Sequence, residues 1–175
     1  MFVHPALKLN QTMQFDGYDT ARSVGREFSL VMAMIRLINS GVFDRHPRLM
    51  IHMSHLGGGL SALLGRIRSY QDKDFWGTAD NARHGAKAKQ EFDHYIRNNF
   101  VFDTAGFCGA LGAVKSALIE IPASRIVFAT DYPQEIRERG AVADFVKQLR
   151  ALGPDGHAIL EGNVGKLIKE PAKAA

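Results

Sequence analysis

The chain has 175 residues, 46% of them hydrophobic and 23% charged, which is the balance of one globular domain with its own core. Its net charge of +4 comes from basic residues scattered along the chain, so there is no nucleic-acid footprint and we expect no nucleic-acid partner. No apolar run approaches the roughly 18 residues of a membrane span, and the single cysteine, Cys108, excludes an intrachain disulfide and indicates a cytoplasmic protein.

Two apolar runs open the chain, and each leads into a segment of helical periodicity. The first run covers residues 1–4, and apolar residues three and four apart then predict an amphipathic helix over residues 18–40. The second run, residues 49–54, passes through three consecutive glycines into a helix with one apolar face over residues 60–67. Residues 72–90 are polar and are expected to form an irregular loop that passes into a short helix.

Two further apolar runs follow the same pattern. One covers residues 100–102 and ends at Asp103, and the other covers residues 125–130 and ends at Asp131. Helices are expected at residues 109–121, 137–151 and 156–169. Strands that alternate with helices and are continuously apolar are typical of a parallel α/β sheet. Four such units make half of an eight-stranded (β/α)8 TIM barrel, and residues 1–175 contain no linker, so we expect a single partial-barrel domain.

Titratable residues close three of the four predicted strands: His4, His55 and Asp131. The carboxyl ends of parallel strands meet at one edge of a sheet, so these side chains are expected to share a site. Each residue alone has a plainer explanation, since a strand-end histidine is often structural and an aspartate before Tyr-Pro is often a turn or cap residue. Imidazole and carboxylate are standard zinc ligands. His4 and Asp131 are therefore candidate metal ligands, and His55 and Asp131 are candidate catalytic residues, with His55 as general acid or base.

The glycines after His55 and an arginine in the following helix are candidate substrate contacts. Gly57 and Gly58 permit a close approach of backbone to ligand, and their N–H groups could hold a carboxylate, although a tight strand-to-helix turn also explains them. Arg66 could bind a substrate carboxylate or form a salt bridge with a neighbour. His52 lies on the opposite strand face from His55 and is interpreted as packing or as support for the site.

Several stretches of the sequence resemble the amidohydrolase-2 family, the group of aminocarboxymuconate-semialdehyde decarboxylase and γ-resorcylate decarboxylase. They are FVHP at residues 2–5, HPRLMIHMSHLGGG at 46–59, FDTAG at 102–106, RIVFATDYP at 125–133 and ILEGNV at 159–164. The resemblance implies that the chain holds strands 5–8 of the family's barrel. It also implies that His4 binds a divalent metal, Zn²⁺ or Mn²⁺, that Asp131 binds this metal or its water, and that His55 serves acid–base chemistry. Arg66 matches an arginine that reaches a neighbouring subunit's substrate, which implies a dimer.

The activity that the resemblance implies is that of a metal-dependent hydrolase or decarboxylase. Its substrate would be small and carboxylate-bearing, and a metal-bound water and His55 would act on it. The family's first strand supplies a His-x-His or Glu-x-His ligand pair, and this chain has no His-x-His. A tetrahedral metal takes about four ligands, so a catalytically incompetent fragment that assembles with partners stays open as a second hypothesis. A nucleotide-binding domain would need a phosphate-binding loop, which the sequence does not contain.

Overall fold

The computed structural model describes residues 1–5, 19–71 and 87–167. Its centre is a four-stranded sheet with the strand order β1-β2-β3-β4, in which each neighbouring pair is parallel. The strands are β1 (Phe2–Val3), β2 (Ile51–Met53), β3 (Phe100–Asp103) and β4 (Ile126–Val127). Their sequential order and common direction confirm the parallel α/β sheet that was predicted from alternating apolar runs and helices.

The helices lie between and after the strands. They are α1 (Arg26–Asn39), which follows a π-helical turn (Ala21–Gly25), α2 (Val42–Arg45), α3 (His55–Gln71), α4 (Phe92–Asn99), α5 (Leu111–Glu120), α6 (Arg139–Arg150), α7 (Pro154–His157), a second π-helical turn (Ala158–Gly162) and α8 (Val164–Leu167). Helix α1 packs on α3, and α3 packs on both α5 and β3. Within the described ranges, no helix is long and apolar enough to cross a membrane.

The core lies between the sheet and these helices. On α1 the buried residues follow the predicted steps of three and four, at Leu30, Val31, Met34 and Ile38, so one face of the helix packs inward. All the residues of β3 are buried, as expected for a parallel strand that is covered on both faces. Aromatic rings fill much of the space, with almost full burial of Phe43, Phe92, Phe100, Phe102 and Phe145. The sheet therefore offers a rigid base to the loops at its carboxyl edge.

Some helix boundaries differ from the prediction because backbone conformation, which periodicity does not report, sets them. The helix expected over residues 18–40 contains a π-helical turn and becomes α-helical at Arg26. The last helix, expected over residues 156–169, is divided at Asn163, whose side-chain amide donates to two backbone oxygens near the start of β4. Most of the loop expected over residues 72–90 lies outside the described residues.

The triple glycine forms a left-handed turn between β2 and the regular part of α3. Leu56, Gly57, Gly58 and Gly59 have φ between 49° and 74° and ψ between 27° and 32°. The left-handed helical conformation costs about 1–2 kcal/mol for each residue that has a side chain, and glycine avoids that cost. A strand-to-helix turn, one of the two explanations of the glycines, is therefore the structure that they form.

Gly58→Ala is expected to destabilise the protein by roughly 2–4 kcal/mol, because a methyl group there would overlap the backbone oxygen of Glu27 and the residue has φ of +73°. Helix α1 would have to move away from the turn to make room. Urea unfolding measures the change. Gly65→Ala, in the regular part of the same helix with nothing within 4 Å of the added carbon, is the control and should be neutral or slightly stabilising. Equal stability of the two variants would contradict this packing.

Candidate metal centre

The carboxyl ends of β1, β2 and β4 bring His4, His55 and Asp131 together. Each residue offers one ligand atom, and the three atoms lie within 4.8 Å of one another. The strand register explains the convergence, because Val3 is paired with Met53 and the residues that follow leave the sheet at a similar level. The structure therefore groups the three side chains as the strand-end pattern predicted, while their individual roles stay predictions.

The gap between Asp131 and each of the two histidines is wide enough for a divalent ion. His4 Nε2 lies 3.8 Å from Asp131 Oδ1, and His55 Nε2 lies 3.7 Å from Asp131 Oδ2. Both distances are too long for hydrogen bonds, whereas ligand atoms that one ion holds at about 2.1 Å are separated by roughly 3–4 Å. The rings of His4 and His55 stand nearly perpendicular, with their centroids 5.0 Å apart. Two imidazoles and a carboxylate form a donor set that suits zinc or manganese.

His55 is held by contacts from two directions. Its Nδ1 lies 2.9 Å from Glu27 Oε1 on α1, and its backbone N–H donates to Asp103 Oδ1 at 2.9 Å. Its Nε2 is buried and has no hydrogen-bond partner among the described residues. Burial, the largest influence, lowers the pKa of His55, but the hydrogen bond to Glu27 and the nearby carboxylate charges outweigh it and raise the pKa above its usual value. This nitrogen is therefore available to a metal, a substrate or a proton.

The Asp103 carboxylate, at the end of β3, supports the site from behind. Its Oδ1 accepts hydrogen bonds from the backbone N–H groups of His55 and Ala105, and its Oδ2 lies 2.9 Å from His52 Nε2. His52 therefore contacts Asp103 and lies outside the cluster, which agrees with its interpretation as support for the site. Gly106 lies against the His55 ring, where a side chain would overlap the imidazole. The end of β3 thus restrains both the backbone and the ring of His55.

A cavity of about 320 Å³ opens over the cluster, and its lining includes arginines as well as the carboxylates of Asp19, Glu27, Asp131 and Glu135. Three arginines line it: Arg22, Arg26 and Arg137. Arg22 forms an ion pair of 2.6 Å with Asp19, whereas Arg137 is exposed and lies beyond β4, on the loop before α6. A cleft concentrates anions when one sign of charge lines it, and this lining carries both signs. An anionic ligand above the candidate metal centre would therefore depend on contact with a particular arginine and not on a net positive charge of the lining.

Glu27 and these arginines do not follow the ends of strands, so the strand-end pattern does not predict them. A signal for Glu27 was nevertheless present. Glu27 precedes Leu30 and Val31 by three and four residues, which places an acidic side chain on the buried apolar face of α1. Charged residues are almost never buried without a partner, so this position pointed to a buried cation or hydrogen-bond donor nearby.

The predicted substrate contacts Gly57, Gly58 and Arg66 do not line this cavity in the part of the chain that the structure describes. The two glycines are buried, and an added side chain at either would meet the core or α1. Arg66 is exposed, with its guanidinium 4.9 Å from the centre of the Tyr70 ring. Close packing in the left-handed turn accounts for the glycines without a ligand. Contact between Arg66 and the substrate of a second subunit, and the dimer that it requires, stay predictions.

Two histidines and a carboxylate at the carboxyl edge of a parallel sheet define this chain as an α/β protein with a candidate metal centre. Comparison of the sequence with known families then gives the particular group. The chain belongs to the amidohydrolase family Amidohydro_2, whose model matches residues 3–163. The match includes the three residues of the cluster, so the family assignment and the site concern the same part of the chain.

The most informative relatives are decarboxylases. The chain is 34% identical over 137 residues to a γ-resorcylate decarboxylase of Rhizobium sp. (strain MTP-10005), covering 77% of this chain and 40% of that protein. It is 31% identical over 121 residues to decarboxylase orsB of Emericella nidulans, covering 69% of this chain and 33% of that protein.

Solved structures that are similar to this chain also include decarboxylases. A dihydroxybenzoic acid decarboxylase from Polaromonas sp. JS666, with bound manganese and the inhibitor 2-nitroresorcinol, matches with a TM-score of 0.80 and 27% identity over 95% of this chain and 48% of that one. A 2,6-dihydroxybenzoate decarboxylase from Rhizobium matches with a TM-score of 0.79 and 28% identity over 95% of this chain and 50% of that one. The chain therefore spans half, or less, of each of these relatives.

Proposed function

We propose that the complete protein is a metal-dependent carboxy-lyase that removes a carboxylate group from an aromatic acid. The observation that carries the proposal is the cluster of His4, His55 and Asp131 at a cavity whose lining includes three arginines. The fold itself also serves hydrolases. The decarboxylase names of relatives at 34% and 31% identity favour the carboxy-lyase over a hydrolase.

In this proposal His4 and Asp131 bind a divalent ion, zinc or manganese. Their ligand atoms are 3.8 Å apart, which leaves room for an ion between them, and the unpartnered Nε2 of His55 is buried beside them. When bound, the ion supplies positive charge that orients and polarises a substrate carboxylate or carbonyl. Manganese in the similar decarboxylase from Polaromonas sp. supports a divalent ion and does not choose between the two metals.

His55 supplies the proton that the reaction consumes. Loss of carbon dioxide breaks the bond between the ring carbon and the carboxylate, the electron pair stays on the ring carbon, and a proton takes the vacated position. The buried Nε2 of His55 has no hydrogen-bond partner among the described residues, and the ring lines the cavity, so this nitrogen can carry the proton to the ring carbon. The carboxylate of Asp131, 3.7 Å from Nε2, stabilises the imidazolium until the proton is transferred.

We also propose that residues 1–175 are the C-terminal half of an eight-stranded barrel, with strands 5–8. Phe2 on β1 is 56% exposed. Val24 in the π-helical turn and Phe28 and Met32 on α1 follow one another at steps of four residues, and each is 40–43% exposed. Apolar stripes and open strand edges of this kind are covered in a complete barrel. The other half of the barrel would also supply the remaining metal ligands.

Metal analysis and turnover of the complete protein test the proposed function. We expect about one zinc or manganese ion per chain and release of carbon dioxide from 2,6-dihydroxybenzoate or a related hydroxybenzoate. A chelator should abolish the release, and either metal should restore it. A protein that holds metal and hydrolyses esters or amides without releasing carbon dioxide would overturn the carboxy-lyase assignment. A complete protein without bound metal would overturn the metal-dependent mechanism altogether.

Arg137→Gln is expected to raise KM for a carboxylate substrate roughly 10-fold and to change kcat by no more than about 2-fold. The reason is that the guanidinium lines the cavity, where it can donate a charge-assisted hydrogen bond to the substrate. Steady-state kinetics of the complete protein measures both constants. Arg139→Gln removes the same charge from an exposed position at the start of α6, away from the cavity wall, and should leave KM unchanged. Equal KM values in the two variants would exclude Arg137 from substrate binding.

A further inference from the structure

We propose that Glu27 is a positioning residue that holds the His55 imidazole in its Nδ1–H tautomer, so that Nε2, beside Asp131, is the nitrogen that takes up and releases the proton. Glu27 acts through His55 and needs no contact with the reacting atoms. The catalytic consequence rests on the proposed acid–base function of His55. The tautomer itself does not depend on that function, and it can be measured without turnover.

The contact between Glu27 and His55 is short and shielded from water. Glu27 Oε1 lies 2.9 Å from His55 Nδ1, and the two side chains are 18% and 5% exposed. A carboxylate accepts hydrogen bonds and does not donate them, so the ring nitrogen that faces it carries the proton. At this degree of burial little water competes for either group, and a charge-assisted hydrogen bond holds the ring in one orientation.

The backbone around the ring fixes how α1 approaches it. Gly58, in the left-handed turn, lies so close to the Glu27 carbonyl that a side chain would overlap it. Gly106 lies against the ring of His55 with equally little space. The His55 backbone N–H is bound by Asp103, which sets the point from which the side chain projects. The two glycines therefore allow the helix and the strand ends to close on the imidazole.

Any other ring orientation would leave a buried charge without a partner. Glu27 Oε2 is already buried without a hydrogen bond among the described residues. Rotating the imidazole by half a turn would replace the Nδ1–H group by a C–H group and leave Oε1 unpartnered as well. An unsatisfied buried charged group costs more than the roughly 1–3 kcal/mol of a neutral one. The observed orientation is therefore strongly preferred.

The consequence for the metal site concerns Nε2. When Nδ1 carries the proton of the neutral ring, the lone pair lies on Nε2. This nitrogen is 3.7 Å from Asp131 Oδ2 and has no hydrogen-bond partner in the described part of the chain. A carboxylate behind a metal-site histidine fixes the tautomer in this way and makes the outer nitrogen more basic. Asp103 does not do this, because its oxygens bind His52 and backbone N–H groups.

Nitrogen-15 NMR of the histidine-labelled protein reports the tautomer at a pH where His55 is neutral. We expect Nδ1–H in the wild type and in E27Q, whose amide oxygen can accept the same hydrogen bond, and a shift of at least several-fold toward Nε2–H in E27A. E27M keeps the side-chain volume and replaces E27A if that variant does not fold. Glu138→Gln, an exposed position before α6, is the control and should leave the spectrum unchanged. An Nε2–H tautomer in the wild type, or an unchanged tautomer in E27A or E27M, overturns the proposal.

Kinetics of the complete protein supply the second measurement. We expect E27A to lower kcat roughly 10- to 100-fold with KM within about 2-fold, and E27Q to recover most of the loss. A structural role alone would not make kcat follow the tautomer across these variants, so full activity in E27A with the changed tautomer overturns the catalytic part. A wild-type protein that has the Nδ1–H tautomer but releases no carbon dioxide supports the positioning by Glu27 and overturns the proposed function instead.

Discussion

His55→Ala is expected to lower kcat of the complete protein by roughly 100- to 10,000-fold, the usual range for loss of a general acid or base, while most of the bound metal is retained. The separation of the two effects follows from the proposed roles. His55 supplies the proton, whereas His4 and Asp131 hold the ion, with ligand atoms 3.8 Å apart. Carbon dioxide release under steady-state conditions measures the first effect, and elemental analysis of the same sample measures the second.

The interpretation of that variant requires a folding control. Removing the imidazole leaves Glu27 buried with both oxygens unpartnered among the described residues, so some loss of stability is expected. Thermal melting by circular dichroism identifies any part of the effect that comes from unfolding. His157→Ala, at an exposed position on α7, should retain activity and metal. Loss of most of the metal from a folded His55→Ala protein would make His55 a ligand and overturn its assignment as acid or base.

Asp131→Ala is expected to weaken binding of zinc or manganese by roughly 100-fold or more and to abolish turnover at ordinary metal concentrations. Changes to groups that merely support a ligand already cost about 10- to 100-fold in metal affinity, so loss of a ligand should cost at least as much. The carboxylate also lies 3.7 Å from His55 Nε2, where its charge stabilises the imidazolium. Calorimetric titration with zinc, or electron paramagnetic resonance of free manganese, measures the affinity.

Asp155→Ala is the matched control for that variant. It removes a carboxylate from an exposed position on α7 and should leave metal affinity unchanged. If Asp131→Ala showed full turnover with normal metal content, Asp131 would have no place in the site. If metal content fell while carbon dioxide release stayed normal, the metal would not take part in the reaction.

Periodicity predicted the elements that depend on burial alone. The apolar steps along α1 and the mostly apolar runs of β2 and β3 identified the buried faces, because most residues on such a face are apolar whatever they pack against. The residues at which the helices begin and end were less predictable. The π-helical turn before α1 depends on its backbone hydrogen bonds, and the last helix is divided at Asn163, whose side-chain amide donates to two backbone oxygens; apolar spacing reports neither.

The left-handed turn between β2 and α3 is a feature that the sequence indicated only in part. Three consecutive glycines indicated unusual backbone geometry, and both a turn and an anion site were compatible with them. The packing of α1 against the turn favours the turn, since the buried glycines leave no room for a side chain at Gly58. Local sequence shows that glycine is needed at such a position, while the neighbour that requires it comes from a helix some 30 residues away.

The sequence by itself determined the parallel α/β class and the residues of the cluster, His4, His55 and Asp131. It could do so because parallel strands carry the residues at their carboxyl ends to one edge of the sheet, whatever the details of packing. Only the tertiary structure decided what surrounds the cluster: Glu27 behind the His55 ring, and both arginines and carboxylates on the cavity walls. Those contacts depend on how a helix packs on the sheet, and no local pattern specifies which two distant side chains then meet.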